Sequence, residues 1–292
     1  MLCKVTRGEN IESQHIIYAT ALDEGGKTVF NTAPKDYTTC ARSSLKPFQA
    51  SASILAGATE EFTSEEIALM CASHNGEKIH IDVAMSMANK LGFHASHYEC
   101  GTHTPLDKET SKKILQSKIK ITPFYNNCSG KHSGMLALAK KLKTNPKDYV
   151  KITHPVQQTI LNQLKRLTEQ NHFYYGIDGC SVPTPYLSLT TLAKLFQKLG
   201  SRKYPELSKA YRAMSKHPYL IGGHNRFDTD FSLAMKGRGI CKAGGEAIRG
   251  LVVQTNKYGL LSISLKVVDG NHRALDVATT SILHHLDVLT KK

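Results

Sequence analysis

The sequence predicts an α+β fold in which both ends of the chain build one antiparallel sheet and the long middle section is mostly helical. Near the N-terminus, residues 16–23 and 27–30 are strand-like and flank a turn with two glycines, which is typical of a β-hairpin. Near the C-terminus, residues 251–255 and 260–268 flank a second polar turn in the same way. Between the hairpins, no alternation of strands and helices indicates a doubly wound sheet.

Apolar residues recur at helical spacing through the middle section and again at about 273–289. Because no linker rich in Pro, Gly or Ser interrupts the chain, we expect one domain over 1–292. Its sheet lobe would comprise about 1–40 and 235–292, and its helical lobe about 41–234. The helices predicted within the middle section span 47–56, 65–71, 79–91, 109–116, 132–142, 155–168, 189–199 and 207–214.

The composition indicates an ordered globular protein. The chain has 292 residues, of which 40% are hydrophobic and 21% are charged. It has no run of about eighteen apolar residues, which excludes an ordinary transmembrane helix, and its first residues lack the apolar core of a signal peptide. The seven cysteines are an odd number at irregular spacing, so reduced thiols are expected rather than a disulfide framework. These features predict a cytoplasmic protein.

The net charge of +14 raises the question of nucleic-acid binding. The lysines occur in short groups within helix-like stretches, where a solvated helix face explains them. The sequence has no Trp, no zinc-finger spacing and no aromatic motif of the RNP type. Nucleic acid is therefore not expected as the partner, and a basic binding protein without catalysis stays as the alternative from a different class. A basic surface also favours an anionic small substrate through its field.

A possible nucleophile and base occur in the segment 41–47, where Ser43 lies three residues before Lys46. Residues three apart share one face of a helical turn, so the hydroxyl and the amine can meet. A serine nucleophile served by a lysine base needs this arrangement, as in the S-x-x-K motif of penicillin-binding proteins and serine β-lactamases. About one or two such pairs arise by chance in a chain of this size, so the spacing needs further support.

Two other segments contain small and polar residues in the manner of site loops. Ser73 lies in the segment 71–76, which follows an apolar run, and unaided by other signals a polar turn at a helix end is the better interpretation. Lys242 lies in the segment 239–246, just before the C-terminal hairpin. A lysine beside small residues at a sheet border is similar to the K-T-G element of the penicillin-binding fold, and a glycine-rich turn with a surface lysine is an equal alternative.

Two loops carry cysteines beside other polar side chains. The segment 126–132 leads into an apolar helix and contains Cys128, Lys131 and His132, while Asp178 and Cys180 precede two prolines that stiffen their loop. Thiolate, imidazole and carboxylate groups are zinc ligands, but lysine must first lose a proton from an amine with a pKa near 10.4. From spacing alone, two buried cysteines are a better interpretation than a metal site.

Taken together and in order, these motifs resemble one family, the Rhizobium etli-type L-asparaginases, which bacterial annotation also calls asparaginase II-like. The resemblance covers nearly the whole chain, although the family commonly continues past the last helix with an Asn- and Gly-containing tail. The absence of that tail would affect dimer contacts or a late substrate-closing segment rather than the motifs. The matching stretches are ARSSLKP, CASH, CGTH, NCSGKH, DGCSVPTP and KAGGEA, with His217-Pro218 and Arg226-Phe227-Asp228-Thr229 as further family-like segments.

The resemblance implies a fold like that of serine β-lactamases and glutaminases. It also implies two catalytic pairs, Ser43 with Lys46 and Ser73 with Lys242, and no organic cofactor. It further implies zinc bound near the site, which reverses the interpretation from spacing. The zinc ligands would be Cys128, Lys131 and Cys180, and the polar residues lining the same site would be Arg42, His132 and Asp178.

We therefore expect hydrolysis of L-asparagine to L-aspartate and ammonia by a homodimer, with Ser43 as the first choice of nucleophile and the reverse assignment, Ser73, still open. Zinc would organise the cysteine loops around the two ends of the substrate. A glutaminase is an alternative, because a pocket one methylene longer changes binding by only about 1–3 kcal/mol. A β-lactamase or peptidoglycan enzyme is less expected, because no export signal is recognised.

Overall fold

The computed structural model describes residues 1–35, 37–117 and 119–289. Its strands are β1 (Leu2–Arg7), β2 (Asn10–Leu22), β3 (Thr28–Asn31), β4 (Thr38–Cys40), β5 (Tyr175–Ile177), β6 (Pro183–Ser188), β7 (Gly239–Gly244), β8 (Ile248–Thr255) and β9 (Gly259–Val267). Its α-helices are α1 (Lys46–Leu55), α2 (Ser64–Met70), α3 (Lys78–Leu91), α4 (Lys108–Ser117), α5 (Ser129–Lys141), α6 (Pro155–Thr168), α7 (Leu189–Gly200), α8 (Pro205–Lys216), α9 (Pro218–Ile221), α10 (Phe227–Met235) and α11 (Leu275–His285). The helices predicted from apolar spacing are all present, with ends shifted by a few residues.

The main sheet joins the two ends of the chain, as the sequence predicts. Its strands run in the order β1-β2-β9-β8-β7, all neighbouring pairs are antiparallel, and β3 pairs with the end of β2. The N-terminal strand β2 lies directly beside the C-terminal β9, with Ile17 opposite Val267 and Leu22 opposite Ser262. The expected antiparallel sheet built from both chain ends, with a large helical insertion between them, is confirmed.

Both faces of the sheet are covered, which explains the long buried runs in β8 and β9. One face packs on the C-terminal helix through residues such as Leu265 and Ile282, and the other packs on α7. The ring of Phe196 on α7 lies directly against the backbone of Gly250, where an added Cβ would be 2.0 Å from the ring. Glycine in β8 is thus required by the close helix–sheet approach.

In the helical section, the crossing of α5 and α2 is equally close. A Cβ on Gly130 would lie 2.1 Å from the backbone carbonyl oxygen of Leu69, so only glycine lets the two helices meet there. The crossing holds the start of α5, with its flanking cysteine, beside the segment that follows α2. Both segments were predicted as site loops, and the fold brings them together.

One feature differs from the prediction. A small sheet of order β4-β6-β5 lies partly within the stretch expected to be helical, because Pro183 and Pro185 in β6 suggested a loop. These prolines are tolerated because their nitrogens face the β4 side of the strand, where β4 pairs only with residues 186–188. Of the two equal interpretations of the segment around Lys242, the structure shows the sheet element, strand β7 with a fully buried lysine, and not the glycine-rich turn with a surface lysine. No helix in the described part of the chain is long and apolar enough to cross a membrane.

Candidate active site

A cavity of about 460 Å³ opens where the turn before α1 meets the end of β7. Ser43, on a short 3-10 turn (Arg42–Leu45), and Ser73, after α2, both line it. The far wall is formed by Gly244 and Gly245, and a Cβ on Gly244 would lie 3.1 Å from the backbone nitrogen of Ser43. Absence of side chains at the end of β7 therefore lets its backbone approach the serine.

The Lys46 amine lies beneath the cavity floor and is fully buried. It donates to the Ser73 hydroxyl at 3.0 Å, to the carbonyl oxygen of Asn127 at 3.1 Å and to the carbonyl oxygen of Ala72. Direct pairing of Lys46 with Ser43, expected from the i,i+3 spacing, is not formed. The Lys46 side chain extends from the start of α1 to the segment that follows α2, so its amine contacts Ser73 instead of Ser43.

Ser43 makes no hydrogen bond through its hydroxyl within the part of the chain that the structure describes, and its backbone N–H has no acceptor there either. The residue is only partly buried and faces the cavity. The free hydroxyl can therefore act as the attacking oxygen, and the free N–H of the same residue can stabilise a developing oxyanion.

Lys242 occupies the middle of β7 and is also fully buried. Its amine donates to the carbonyl oxygen of Ala243 at 2.6 Å and lies 3.5 Å from a carboxylate oxygen of Asp228. It does not hydrogen-bond Ser73, so the second expected pair is not formed either. Burial lowers the pKa of Lys242 to about 8, helped by the nearby charge of Lys46 and opposed by that of Asp228. Lys242 is therefore a buried amine that exchanges its proton close to neutral pH.

Arg42 and Asp178 form an ion pair, with Nε of the arginine 2.8 Å from Oδ1 of the carboxylate. Although burial opposes ionisation, the charges of Lys131 and Arg42 hold the pKa of Asp178 below its usual value. The guanidinium lies behind the cavity wall, since a Cβ on Gly245 would be 2.9 Å from its Nη2. Neither side chain lines the cavity among the described residues.

His132 is fully buried on α5 and does not line the cavity in the described part of the chain. The Tyr149 hydroxyl accepts from the backbone N–H of Glu99 and is also hydrogen-bonded to Nδ1 of His132. Burial holds the pKa of His132 well below its usual value, so the ring is neutral. Its Nε2 has no hydrogen-bond partner among the described residues.

Cys128, Lys131 and Cys180 meet in a nearly closed cluster. The lysine amine donates to Sγ of Cys180 at 2.8 Å, and the two thiols also interact. A hydrogen bond from Cys128, followed by the charge of Lys131, lowers the pKa of Cys180 to about 5, which favours a thiolate. Although burial disfavours the charged amine, the sulfur atoms raise the pKa of Lys131 above its usual value.

The donor set of this cluster fits zinc, because zinc accepts thiolate sulfur and amine nitrogen as ligands, but Cys128 and Lys131, whose pKa values are raised, must lose their protons on binding. Over residues 1–35, 37–117 and 119–289, no three His, Cys, Asp or Glu side chains are grouped closely enough to hold a metal ion. The lysine is thus needed as the third protein donor, and it must lose its proton first. Zinc stays a prediction.

Comparison with known proteins decides the family. A family model described as L-asparaginase II matches residues 3–292. The chain belongs to the L-asparaginase II family. It is therefore an amidohydrolase of the asparaginase type. Among curated proteins, none matches the chain significantly.

Solved structures similar to this asparaginase II family member include several β-lactamases. A chromosome-encoded β-lactamase mutant of Vibrio parahaemolyticus is 11% identical, with 93% of this chain and 94% of that chain covered and a TM-score of 0.43. A β-lactamase of Francisella tularensis is 11% identical, with 94% of each chain covered and a TM-score of 0.43. A β-lactamase of Burkholderia ambifaria is 13% identical, with 95% of this chain and 96% of that chain covered and a TM-score of 0.42.

The asparaginase II cavity has a charged wall for which the sequence alone predicts no role. Asp228 accepts from the backbone N–H of Ala243 at 2.8 Å, and burial is outweighed by Lys242 and Arg249, which lower its pKa to about 2. Arg226 donates to Asn75 at 2.8 Å at the same cavity. The available signal was Arg249 itself, because an arginine inside the apolar strand β8 requires a buried partner.

Proposed function

We propose that this protein hydrolyses the side-chain amide of L-asparagine to L-aspartate and ammonia through an acyl-enzyme on a serine. The observation that carries the proposal is the shared cavity of Ser43 and Ser73, with the buried amine of Lys46 3.0 Å from the second hydroxyl. Membership of the L-asparaginase II family supplies the reaction class. A nucleophile, a proton carrier and a free backbone donor at one cavity supply the chemistry.

Ser43 is the proposed nucleophile. Its hydroxyl has no internal hydrogen bond among the described residues, so attack on the amide carbon breaks none. As the bond from Oγ to the carbonyl carbon forms, negative charge develops on the carbonyl oxygen, and the backbone N–H of Ser43 is available to stabilise it. One oxyanion donor of this kind is worth about 3–4 kcal/mol in other hydrolases.

Lys46 and Ser73 are the proposed proton carriers. The proton released from Ser43 passes to a lysine amine, and the hydrogen bond between Lys46 and Ser73 provides a route from the cavity floor to the leaving nitrogen. Ammonia leaves once that nitrogen is protonated, and water then attacks the ester by the reverse sequence. Lys242 accepts a proton near neutral pH, so it complements Lys46 as a base.

Arg42 and Asp178 are proposed to position the substrate indirectly. Their ion pair supports the backbone of Gly245 at the cavity wall and connects the cysteine loop to the turn that carries Ser43. His132 is proposed to keep the start of α5 in place through Tyr149. A direct contact of these side chains with substrate would need a closing movement of the wall.

Zinc is proposed to be held by Cys128, Lys131 and Cys180, where it would hold the two cysteine loops together as a Lewis acid bound to sulfur and nitrogen. The Cys180→Val variant tests this organising role, because it removes the thiolate but keeps an apolar side chain of similar size. We expect loss of bound zinc, measured by elemental analysis, with residual turnover. Cys71→Val, at a buried thiol outside the cluster, is the matched control and should keep its metal. Zinc retained in Cys180→Val would contradict the ligand set.

The test of the proposed function is an ammonia-release assay with asparagine and glutamine side by side. Ser43→Ala is expected to lose activity by about 10³-fold or more, since the nucleophile is absent. Ser96→Ala, at an exposed serine that does not line the cavity, is the matched control and should match the wild type. Faster release from glutamine would assign the site to a glutaminase, and full activity in Ser43→Ala would move the nucleophile to Ser73.

A further inference from the structure

A second cavity, of about 570 Å³, shares no lining residue with the proposed active site. It opens where α7 ends and the chain turns into α8, beside Gly237 and Arg238, which lead into β7. Its volume lies in the range of about 300–1,000 Å³ that is usual for small-molecule sites. The cavity is therefore large enough for a ligand bigger than a single amino acid.

The walls of this cavity are strongly cationic. Lys198, Arg202, Lys203 and Arg238 all line it, and Glu24 is the only carboxylate among its described lining residues. Lys198 is already paired with a glutamate at 2.6 Å. The side chains of Arg202, Lys203 and Arg238 make no hydrogen bond or ion pair within the described part of the chain. Arg202, Lys203 and Arg238 are exposed around one cavity, so a polyanion that binds there can contact all three.

Two tyrosines add flat walls to the same cavity. Tyr204 is half-buried, and its ring is already approached by two cations, with the Lys198 amine 5.8 Å from the ring centroid. Tyr211 is buried, and its hydroxyl donates to the carbonyl oxygen of Gly237 at 3.1 Å. A planar group can stack on the partly exposed ring of Tyr204 while a charged group reaches the arginines.

We propose that this cavity binds a small phosphorylated molecule with a planar ring, of the nucleoside polyphosphate class. Arginine guanidinium groups suit phosphate because they donate two parallel hydrogen bonds. A nucleic-acid strand is disfavoured because the free cations surround one concave site rather than follow a groove. The proposal does not depend on the amide chemistry, so its test uses binding and not ammonia release.

The experiment is calorimetric titration of the full-length protein with ATP at physiological salt, beside inorganic tripolyphosphate. We expect saturable binding of one ATP per chain, with several-fold weaker binding of tripolyphosphate because it lacks the ring. The double variant Arg202→Glu/Arg238→Glu should bind ATP at least about tenfold more weakly. Arg202→Gln/Arg238→Gln serves if charge reversal impairs folding, as judged by thermal unfolding.

The matched control is Lys112→Glu/Lys147→Glu, which changes the net charge equally at exposed lysines outside the cavity. It should keep the wild-type affinity for ATP. Equal weakening in both double variants would overturn the proposal in favour of general attraction to a basic chain. Absence of saturable ATP binding would overturn it outright, and equal affinity for tripolyphosphate would overturn the ring-binding part.

Discussion

Lys242 is a buried amine whose pKa is lowered mainly by its removal from water. Burial lowers its pKa to about 8, against an ordinary value of 10.5. The neutral form therefore becomes the major one as the pH rises through about 8. If that form accepts a proton in the reaction, kcat/KM for asparagine should rise with pH and level off above this midpoint, as measured by initial rates of ammonia release.

The carboxylate of Asp228 is what keeps this pKa from falling further. Asp228→Asn removes the negative charge 3.5 Å from the amine, so the midpoint should move to lower pH by about one unit or more. Asp276→Asn is the matched control, because Asp276 also pairs with Arg249 but is not one of the charged groups that shift the pKa of Lys242. A midpoint that stays in place in Asp228→Asn, with normal circular dichroism, would argue against Lys242 as a base.

At the scale of elements, the crossing of α5 and α2 places the cysteine cluster beside the serines. Asn127, just before α5, accepts from Lys46, while Lys131 on the first turn of α5 contacts Cys180. The two parts of the site thus share one short segment. A displacement of the start of α5 would disturb both of them.

Gly130→Ala tests that crossing. The added methyl group would meet the carbonyl of Leu69, a backbone atom that cannot turn aside, so we expect a loss of about 3 kcal/mol in the free energy of unfolding. Urea unfolding measures the loss, and the ammonia assay should show reduced turnover. Gly179→Ala, where a Cβ would meet nothing within 4 Å, should stay within about 0.5 kcal/mol of the wild type. Similar stabilities for the two variants would show that the helices can separate freely.

At the scale of the whole molecule, local sequence patterns predict the helices and strands, but they do not predict contacts between residues far apart in the chain. Apolar spacing located α1 and α6 because their buried faces recur along the sequence. It could not show that Lys46 extends to Ser73, since that contact depends on how α1 and α2 pack. Strand β6 is not predicted because its two prolines are typical of a loop. Its partner, Tyr175–Ile177, is too short to show an alternation of apolar and polar residues. Homodimer formation and the single domain over 1–292 stay predictions.

The net charge of +14 offers a test that separates the enzyme from a nucleic-acid-binding protein. Asparagine is a zwitterion with no net charge at neutral pH, so its binding releases few counterions. We therefore expect kcat/KM to change less than about twofold between about 50 mM and 200 mM salt, whereas binding to nucleic acid falls by about 10³-fold or more over that range.

The measurement is the ammonia assay across that salt series, with and without a random RNA added in excess. Unchanged turnover in the presence of RNA at the higher salt would show that the net positive charge plays no part in amide hydrolysis. Steep inhibition by RNA that persists at the higher salt, or retention of RNA by a protein that releases no ammonia, would instead support the binding alternative. Because Arg249 in the proposed active-site cavity is paired with the carboxylates of Asp228 and Asp276, its charge is offset there, and we expect the first result.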